Sequence, residues 1–273
     1  MPEPWLEALN SIGYFSLLFL IASAFFAGFI DAVVGGGGLI QLPALLIQLP
    51  QTALPVILGT NKIAALTGTS LAAQRYARHF RFNFQLLAVI GLFALIFAYI
   101  GAQMVHHFNP DVLRPLLFVI LLAMALYTYF KKDLGQAKSK SLPFSSQLIY
   151  GSLLACVVGF YDGFIGPGTG SFLVLGFVVL LGFDFIQASA YAKFINVITN
   201  ASALFVFVQQ GNYLLELALL MSISNGAGSW IGSVTALKRG NGFVRKVFLL
   251  IVVILLIRYG TDLYTDWTLI KTK

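Results

Sequence analysis

Long runs of apolar residues cover most of this chain and restrict what it can fold into. We find ten of them, separated by short polar stretches, at 13–34, 39–49, 53–78, 84–105, 112–130, 147–165, 171–183, 186–209, 214–237 and 243–260. A helix needs about 20 apolar residues to cross a bilayer, and most of the runs approach that length. Only 10% of the 273 residues are charged, against about 25% in soluble domains. The pattern predicts an all-α polytopic membrane protein with roughly eight to ten transmembrane or partly spanning helices.

The chain also contains an internal repeat, because residues 131 positions apart match at places where a match is unusual. Asp31 corresponds to Asp162, and Lys62 corresponds to Lys193; matching glycines include 28 and 159, 35 and 166, 37 and 168, and 101 and 232. Acidic, basic and glycine residues are rare inside apolar runs, so their coincidence indicates duplication. We therefore predict an N-terminal transmembrane repeat at 1–130, a linker at 131–146 and a C-terminal transmembrane repeat at 147–273, with about five helical segments in each repeat.

Basic residues in the loops predict how each repeat is oriented, since cytoplasmic loops are rich in Lys and Arg. The basic loops follow the third run of the first repeat and the fourth run of the second, and they hold Arg75, Arg78, Arg81, Lys238, Arg239, Arg245 and Lys246. The corresponding loops of the other repeat have little or no basic charge. We therefore expect two inverted repeats, as in secondary transporters, with a cytoplasmic linker and both termini outside.

The net charge of +7 belongs to these loops. We assign it to topology and to contacts with anionic lipid headgroups rather than to nucleic acid. The N-terminal stretch MPEPWLEALN has no basic n-region, so we expect the first run to be a retained transmembrane helix rather than a cleaved signal peptide.

Two glycine-rich segments interrupt apolar runs shortly after an acidic residue. Asp31 precedes GGGG at 35–38, and Asp162 precedes GPGTG at 166–170. Each glycine costs a helix roughly 1 kcal/mol relative to alanine, so we expect a helix break at both places. The helix after a break begins with free N–H groups that can bind an anion, and the candidate binding residues are Gly36, Gly37, Gly38, Gly168, Thr169 and Gly170. Close packing of helices through small residues is the alternative.

The runs that follow the breaks, 39–49 and 171–183, are too short for an untilted crossing of about 30 Å. They could be short tilted spans or half-helices, and the sequence leaves both open.

Lys62 and Lys193 lie well inside apolar runs, where a charge costs roughly 3 kcal/mol. Two explanations compete. Each lysine could pair with an aspartate, Asp31 or Asp162, or both lysines could face a cavity between the repeats and bind an anionic substrate. The two can coexist if the aspartates carry protons or hold the lysines in place.

Three asparagines extend the candidate substrate site: Asn61, Asn196 and Asn200. Lys193, Asn196 and Asn200 are spaced i, i+3 and i+7, so they share one helix face. Their side chains could bind sulfonate or carboxylate oxygens, or they could only form hydrogen bonds between helices.

The motifs that carry these residues resemble those of the sulfite exporter TauE/SafE family. They are AGFIDAVVGGGGLIQLPAL with TNK at 60–62, and GFYDGFIGPGTGSF with AKFINVITN at 192–200. The resemblance covers nearly the whole chain. It implies an inner-membrane transporter of sulfite, sulfoacetate or related small organic anions, and the family's characteristic positions map onto Asp31, Gly35 to Gly38, Asn61, Lys62, Asp162, Gly166 to Gly170, Lys193, Asn196 and Asn200.

We therefore expect a secondary transporter for a small anion, with the site at the repeat interface and protons as a possible coupling ion. No phosphate-binding G-x-x-x-x-G-K-[ST] loop is present, and we expect no cofactor, no metal and no enzymatic activity. An anion channel on the same scaffold is the alternative. An intramembrane aspartyl protease is a remote one, suggested by the pair Tyr161–Asp162 but lacking the second motif of such enzymes. The sequence leaves the substrate, the direction of transport and the oligomeric state open.

Overall fold

The computed structural model describes residues 13–105 and 142–271. Within these ranges the chain forms helices joined by short connections and contains no strand, which confirms the all-α prediction. We number the helices α1 Tyr14–Val34, α2 Gly38–Gln48, α3 Leu54–Ala77, α4 Phe84–Met104, α5 Phe144–Phe164, α6 Thr169–Leu180, α7 Phe185–Gln209 and α8 Leu215–Lys271. The predicted run 112–130 and most of the linker lie outside the described residues.

Helix α8 is broken once, at Gly240, where φ is 75° and ψ is −172°. Only glycine adopts such a conformation readily. The break lies between the predicted runs 214–237 and 243–260, so it divides α8 where the sequence indicates a boundary.

Four of the described helices, α1, α4, α5 and α7, are long and apolar enough to cross a membrane. Helices α2 and α6 have only 11 and 12 residues. At a rise of 1.5 Å per residue they extend about 17–18 Å, well short of a bilayer core of about 30 Å. The structure thus contains both helices long enough to span a bilayer and shorter apolar helices, as the sequence predicts.

The internal repeat is also visible in the helix boundaries. Helices α2 and α6 begin at residues 38 and 169, α3 and α7 at 54 and 185, and α4 and α8 at 84 and 215. Each pair of starting residues is 131 positions apart, which is the offset found in the sequence. We refer to residues 13–105 as the first half and to residues 142–271 as the second half.

The contacts between the two halves come in pairs that are related by the repeat. Helix α1 of the first half packs extensively on α8 of the second, and α5 of the second half packs extensively on α4 of the first. The N–H of Asn83 donates to the Tyr191 hydroxyl, and the N–H of Leu214 donates to the Thr60 hydroxyl, both at 2.9 Å. Leu214 corresponds to Asn83 and Tyr191 to Thr60 at the offset of 131. The two hydrogen bonds are therefore equivalent, with the roles of the two halves interchanged. The opposite orientation of the halves in the membrane stays a prediction.

Glycines make this packing close. A Cβ atom added to Gly101 in α4 would collide with the Phe160 carbonyl in α5, and one added to the corresponding Gly232 in α8 would collide with the Phe29 carbonyl in α1. Small residues allow helix backbones to approach in this way in membrane proteins. These two glycines, which lie outside the breaks, therefore allow close helix packing. The sequence offered that role as the alternative explanation of the glycines in the breaks.

Candidate functional site

Both glycine-rich segments interrupt the helices, as predicted, and they meet each other in the middle of the molecule. Gly35 ends α1 with a φ of 84°, and Gly166 follows α5 with a φ of 89°. Such left-handed conformations favour glycine. The N–H of Ser171 donates to the Gly35 carbonyl at 3.1 Å, and a Cβ added to Gly170 would overlap the backbone of Gly35. The break in the first half therefore lies directly against helix α6 of the second half.

Beside the breaks, Lys62 forms a buried ion pair with Asp162. Its Nζ lies 2.8 Å from Asp162 Oδ1, and the two side chains are only 3% and 4% exposed. The Thr169 hydroxyl also lies 2.8 Å from Asp162 Oδ1 and can donate to it. A lysine of α3 and an aspartate of α5 thus join the two halves.

The equivalent pair is formed by Lys193 and Asp31. Lys193 Nζ lies 2.9 Å from Asp31 Oδ2, and the Thr69 hydroxyl donates to the same oxygen at 3.1 Å. The Lys193 side chain is fully buried, whereas Asp31 keeps 17% of its side-chain surface exposed. Each lysine is therefore paired with an aspartate, and each pair again crosses between the halves.

A small polar cavity of about 30 Å³ lies between the breaks. This is enough room for a few water molecules. The cavity is lined by Asp31, Gly35, Gly37, Gly38, Gln41, Asn61, Lys62, Ala65, Thr69, Asp162, Gly166, Gly168, Thr169, Gly170, Asn196, Asn200 and Asn225.

The structure brings nearly all of the predicted site residues to this cavity. The exceptions are Gly36 and Lys193, which do not line it. Asn196 and Asn200 face the cavity from α7, but Lys193 on the same helix extends to Asp31 instead. The three residues share a helix face but do not all line the cavity, because the long Lys193 side chain reaches Asp31 in the other half.

The cavity contains an unusual set of buried polar atoms without a hydrogen-bond partner. They are Gln41 Nε2, Asn61 Oδ1, Asp162 Oδ2 and Asn196 Oδ1, each on a residue no more than 7% exposed. Buried polar atoms in proteins are nearly always hydrogen-bonded, because leaving one unpaired costs about 1–3 kcal/mol. Four such atoms around one cavity make it the candidate binding site.

Backbone N–H groups add to the donors at the cavity. Gly37, Gly38, Gly168 and Gly170 line it, and the backbone hydrogen bonds of the described residues include none donated by their N–H groups. They lie at the starts of α2 and α6, where the helix dipole favours negative charge. The site therefore has donors suited to an anion beside its two ion pairs.

Some lining residues were not predicted from the sequence. Thr69 could have been found, because Lys62, Ala65 and Thr69 correspond at the repeat offset to Lys193, Asn196 and Asn200. Gln41 carries no such signal, since Phe172 stands at the corresponding position. Asn225 is different, because a polar residue inside the apolar run 214–237 is by itself a candidate for lining the path or for joining helices. In the fold it lines the cavity, and its amide donates to Gln41 Oε1 at 2.7 Å.

Metal ligands are not gathered anywhere in the two described ranges. No group of three or more His, Cys, Asp or Glu residues occurs there that could hold a metal ion.

Comparison with known proteins identifies the chain's relatives. Residues 20–259 match the family described as sulfite exporter TauE/SafE. The chain belongs to this family. The matched region contains every residue that lines the cavity, so the candidate site lies within it.

Curated relatives also align with nearly the full chain. A probable membrane transporter protein of Sinorhizobium sp, ORF9, is 36% identical over 93% of this chain and 96% of its own length. One from Haemophilus influenzae is 33% identical over 86% and 91%, and YfcA from Escherichia coli K12 is 32% identical over 90% and 91%. No solved structure matches.

Proposed function

We propose that this protein is a secondary transporter that exports or exchanges a small anion, sulfite or an organosulfonate, across the inner membrane. The TauE/SafE family and the names of the relatives as probable membrane transporter proteins support transport. The family description supports a sulfur oxyanion as the cargo.

One observation carries the proposal for the site: buried polar atoms without partners surround a cavity at the contact of the two halves. Unsatisfied groups of this kind are costly to the fold, so a ligand that satisfies them explains their presence. Intramembrane charges beside them are also typical of substrate pathways.

In this mechanism, Lys62 attracts the anion and hydrogen-bond donors orient it. Lys62 lines the cavity directly, and Gln41 Nε2 is a donor without an acceptor. The N–H groups at the starts of α2 and α6 provide further donors for the oxyanion oxygens. Broken helices whose N-termini point at an anionic group are a recurrent feature of secondary transporters.

The small cavity implies that the site opens and closes. A cavity of about 30 Å³ is small for a sulfonate together with its contacts, and we propose that the halves move apart to admit one. Movement of one repeat against the other around a central site is the usual form of alternating access.

The arrangement of the acidic groups favours transport over proteolysis. Aspartyl proteases use two carboxylates that share a proton, whereas Asp31 and Asp162 are each bonded to a lysine.

Anion uptake into proteoliposomes tests this function. The purified protein should take up radiolabelled sulfite or a short alkylsulfonate faster than empty vesicles do, and an excess of unlabelled anion should compete. Lys62→Ala should lower the rate at least tenfold while the protein still inserts and elutes as a single species. Wild-type rates in this variant would overturn the role of Lys62, and absence of uptake of every anion in a panel of sulfite, sulfonates and carboxylates would overturn the proposed function.

A further inference from the structure

We propose that Asp162 carries a proton together with the anion, so that one singly charged oxyanion and one proton cross the membrane in the same direction without net charge. This rests on the proposed function. It assigns different roles to two ion pairs that are equivalent in the repeat: Lys62–Asp162 opens during transport, and Lys193–Asp31 stays closed as a structural pair.

The first reason is that the two pairs differ in their access to the cavity. Lys62 lines the cavity, whereas Lys193 does not and is fully buried. An anion that enters the cavity can therefore reach Lys62 but meets only the aspartate of the second pair. Of the two lysines, Lys62 is the one whose carboxylate partner can be replaced by a substrate.

The second reason is an excess of acceptors around Asp162. Asp162 Oδ1 is bonded to Lys62, and Oδ2 is buried without a partner. Asn61 Oδ1 and Asn196 Oδ1, in the same cavity, are also acceptors without donors. Protonation turns Asp162 from an acceptor into a donor, so a single added proton provides a hydrogen bond for one of these acceptors. At Asp31, Oδ2 likewise accepts from a lysine and a threonine, but this side chain keeps 17% of its surface exposed, and neither of its oxygens is a buried atom without a partner.

The third reason is charge balance in a poorly solvated site. The empty site is neutral, because Lys62 and Asp162 carry opposite charges. An anion added alone would leave one uncompensated negative charge at membrane depth, which is strongly unfavourable. An anion that arrives with a proton on Asp162 keeps the site neutral, since Lys62 then faces the anion and Asp162 is uncharged.

The surroundings of Asp162 contain few other ionisable groups. Lys62 reaches it from α3, and Asp31 lines the same cavity from α1 with Lys193 of α7 bonded to it. Helices α2 and α6 have no ionisable side chain, and in α4 only Tyr99 has one, at the exposed surface. Asp162 is therefore the carboxyl in contact with the lysine that the substrate approaches.

The transport step follows from these contacts. A proton from water binds the Asp162 carboxylate, the ion pair to Lys62 separates, and the anion takes the carboxylate's place beside Lys62 Nζ. No covalent bond of the anion changes. On the opposite side the anion leaves, Asp162 releases its proton, and the ion pair forms again. The two neutral states, empty and doubly loaded, are those that cross.

The experiment uses the purified full chain in proteoliposomes with methanesulfonate as the probe, because this anion stays singly charged at the pH values used. A gradient of about one pH unit, alkaline inside, should drive about tenfold accumulation, since one unit corresponds to a factor of ten in an equilibrium constant. A trapped pH dye should report acidification of the vesicle interior. An imposed potassium potential with valinomycin should leave the accumulation unchanged, because no net charge moves.

Asp162→Asn gives the decisive comparison. It should retain exchange of labelled for unlabelled methanesulfonate, lose accumulation driven by the pH gradient, and become sensitive to the membrane potential. The double variant Asp31→Asn/Lys193→Met removes the other pair and should keep one proton per anion at a lower rate.

Three outcomes would overturn the inference: accumulation in the wild type that follows the potential, proton coupling that persists in Asp162→Asn, or coupling lost only in the Asp31 double variant. If neither methanesulfonate nor sulfite enters wild-type vesicles, the transport function itself fails and this inference fails with it.

Discussion

Lys62 Nζ lies 2.8 Å from Asp162 Oδ1, and these two residues come from different halves of the chain. The corresponding residues, Lys193 and Asp31, form the same bond in exchanged form at 2.9 Å. Two buried ion pairs therefore connect the halves beside the cavity. Any movement of one half against the other must carry these pairs along or break them, which links the charges directly to the transport cycle.

Removing one member of the Lys62–Asp162 pair should be worse for stability than removing both. Asp162→Ala leaves a buried lysine without its carboxylate, and breaking a buried pair in this way costs about 3–5 kcal/mol. The double variant Lys62→Met/Asp162→Leu removes both charges and should recover most of that loss. Thermal unfolding in detergent measures the difference, and the double variant should show no anion uptake because it lacks Lys62.

A suitable control is Asp184→Ala, because Asp184 caps α7 by accepting from the Gln187 N–H at 2.8 Å and lies away from the cavity lining. It should cost about 1 kcal/mol and leave the affinity for the anion unchanged. If the double variant is as unstable as Asp162→Ala, the pair does not account for the loss.

Gly166→Ala should disrupt the site as well as the backbone. Gly166 has a φ of 89°, and an added Cβ would lie 2.9 Å from Asp162 Oδ1 and 3.1 Å from Lys62 Nζ. The left-handed conformation alone costs a non-glycine residue about 1–2 kcal/mol. Gly211→Ala is the matched control, since its φ is 69° with nothing within 4 Å of the added atom. Both variants should lose stability, but only Gly166→Ala should lose uptake, and equal loss of uptake would contradict a local effect on the ion pair.

The sequence predicted the breaks and most of the cavity residues because these features are local, and it predicted the repeat because the matches recur at one constant offset. Glycines that end a helix, and charges inside apolar runs, are visible in short windows. The pairing of Lys62 with Asp162 rather than Asp31 was not predictable, because an offset of 131 identifies equivalent residues but not residues in contact. Gln41 was missed for a related reason: it is a single amide in an apolar helix, and only the fold brings it to Asn225, whose amide donates to Gln41 Oε1.

Glycines at equivalent packing positions should respond alike to substitution. Gly101→Ala and Gly232→Ala each place a methyl group against a carbonyl of the facing helix, at Phe160 and Phe29. Overpacking of this kind costs typically about 1–3 kcal/mol. Gly242→Ala in α8 has nothing within 4 Å and should stabilise its helix by about 0.5–1 kcal/mol. Unfolding temperatures of the three variants in detergent test whether the two positions are equivalent. We expect the temperature to fall by similar amounts in Gly101→Ala and Gly232→Ala and to rise slightly in Gly242→Ala.

Asn61→Ala should weaken transport without weakening the fold. Asn61 Oδ1 is buried without a partner, so its removal relieves a cost of about 1–3 kcal/mol that offsets the lost side-chain packing. If the amide contacts the anion, the KM for uptake should rise at least several-fold. Asn83→Ala is the contrasting variant, because Asn83 caps α4 by accepting from the Leu86 N–H at 3.1 Å; it should lower stability by about 1 kcal/mol and leave the KM unchanged. A large loss of stability in Asn61→Ala would indicate a structural role instead.

Inverted orientation of the halves predicts that equivalent residues face opposite sides of the membrane. Arg78 and Gln209 suit this test, because both are exposed, lie at the ends of α3 and α7, and correspond at the repeat offset. The chain has one cysteine, Cys156, so Arg78→Cys and Gln209→Cys can each be made in a Cys156→Ala background. Cytoplasmic loops are rich in basic residues, and Arg78 belongs to a basic loop, so a membrane-impermeant maleimide should label Gln209→Cys in intact cells. Arg78→Cys should be labelled only after the cells are opened. Labelling of both from the same side would show parallel halves, and the proposed movement of inverted repeats would then have to be abandoned.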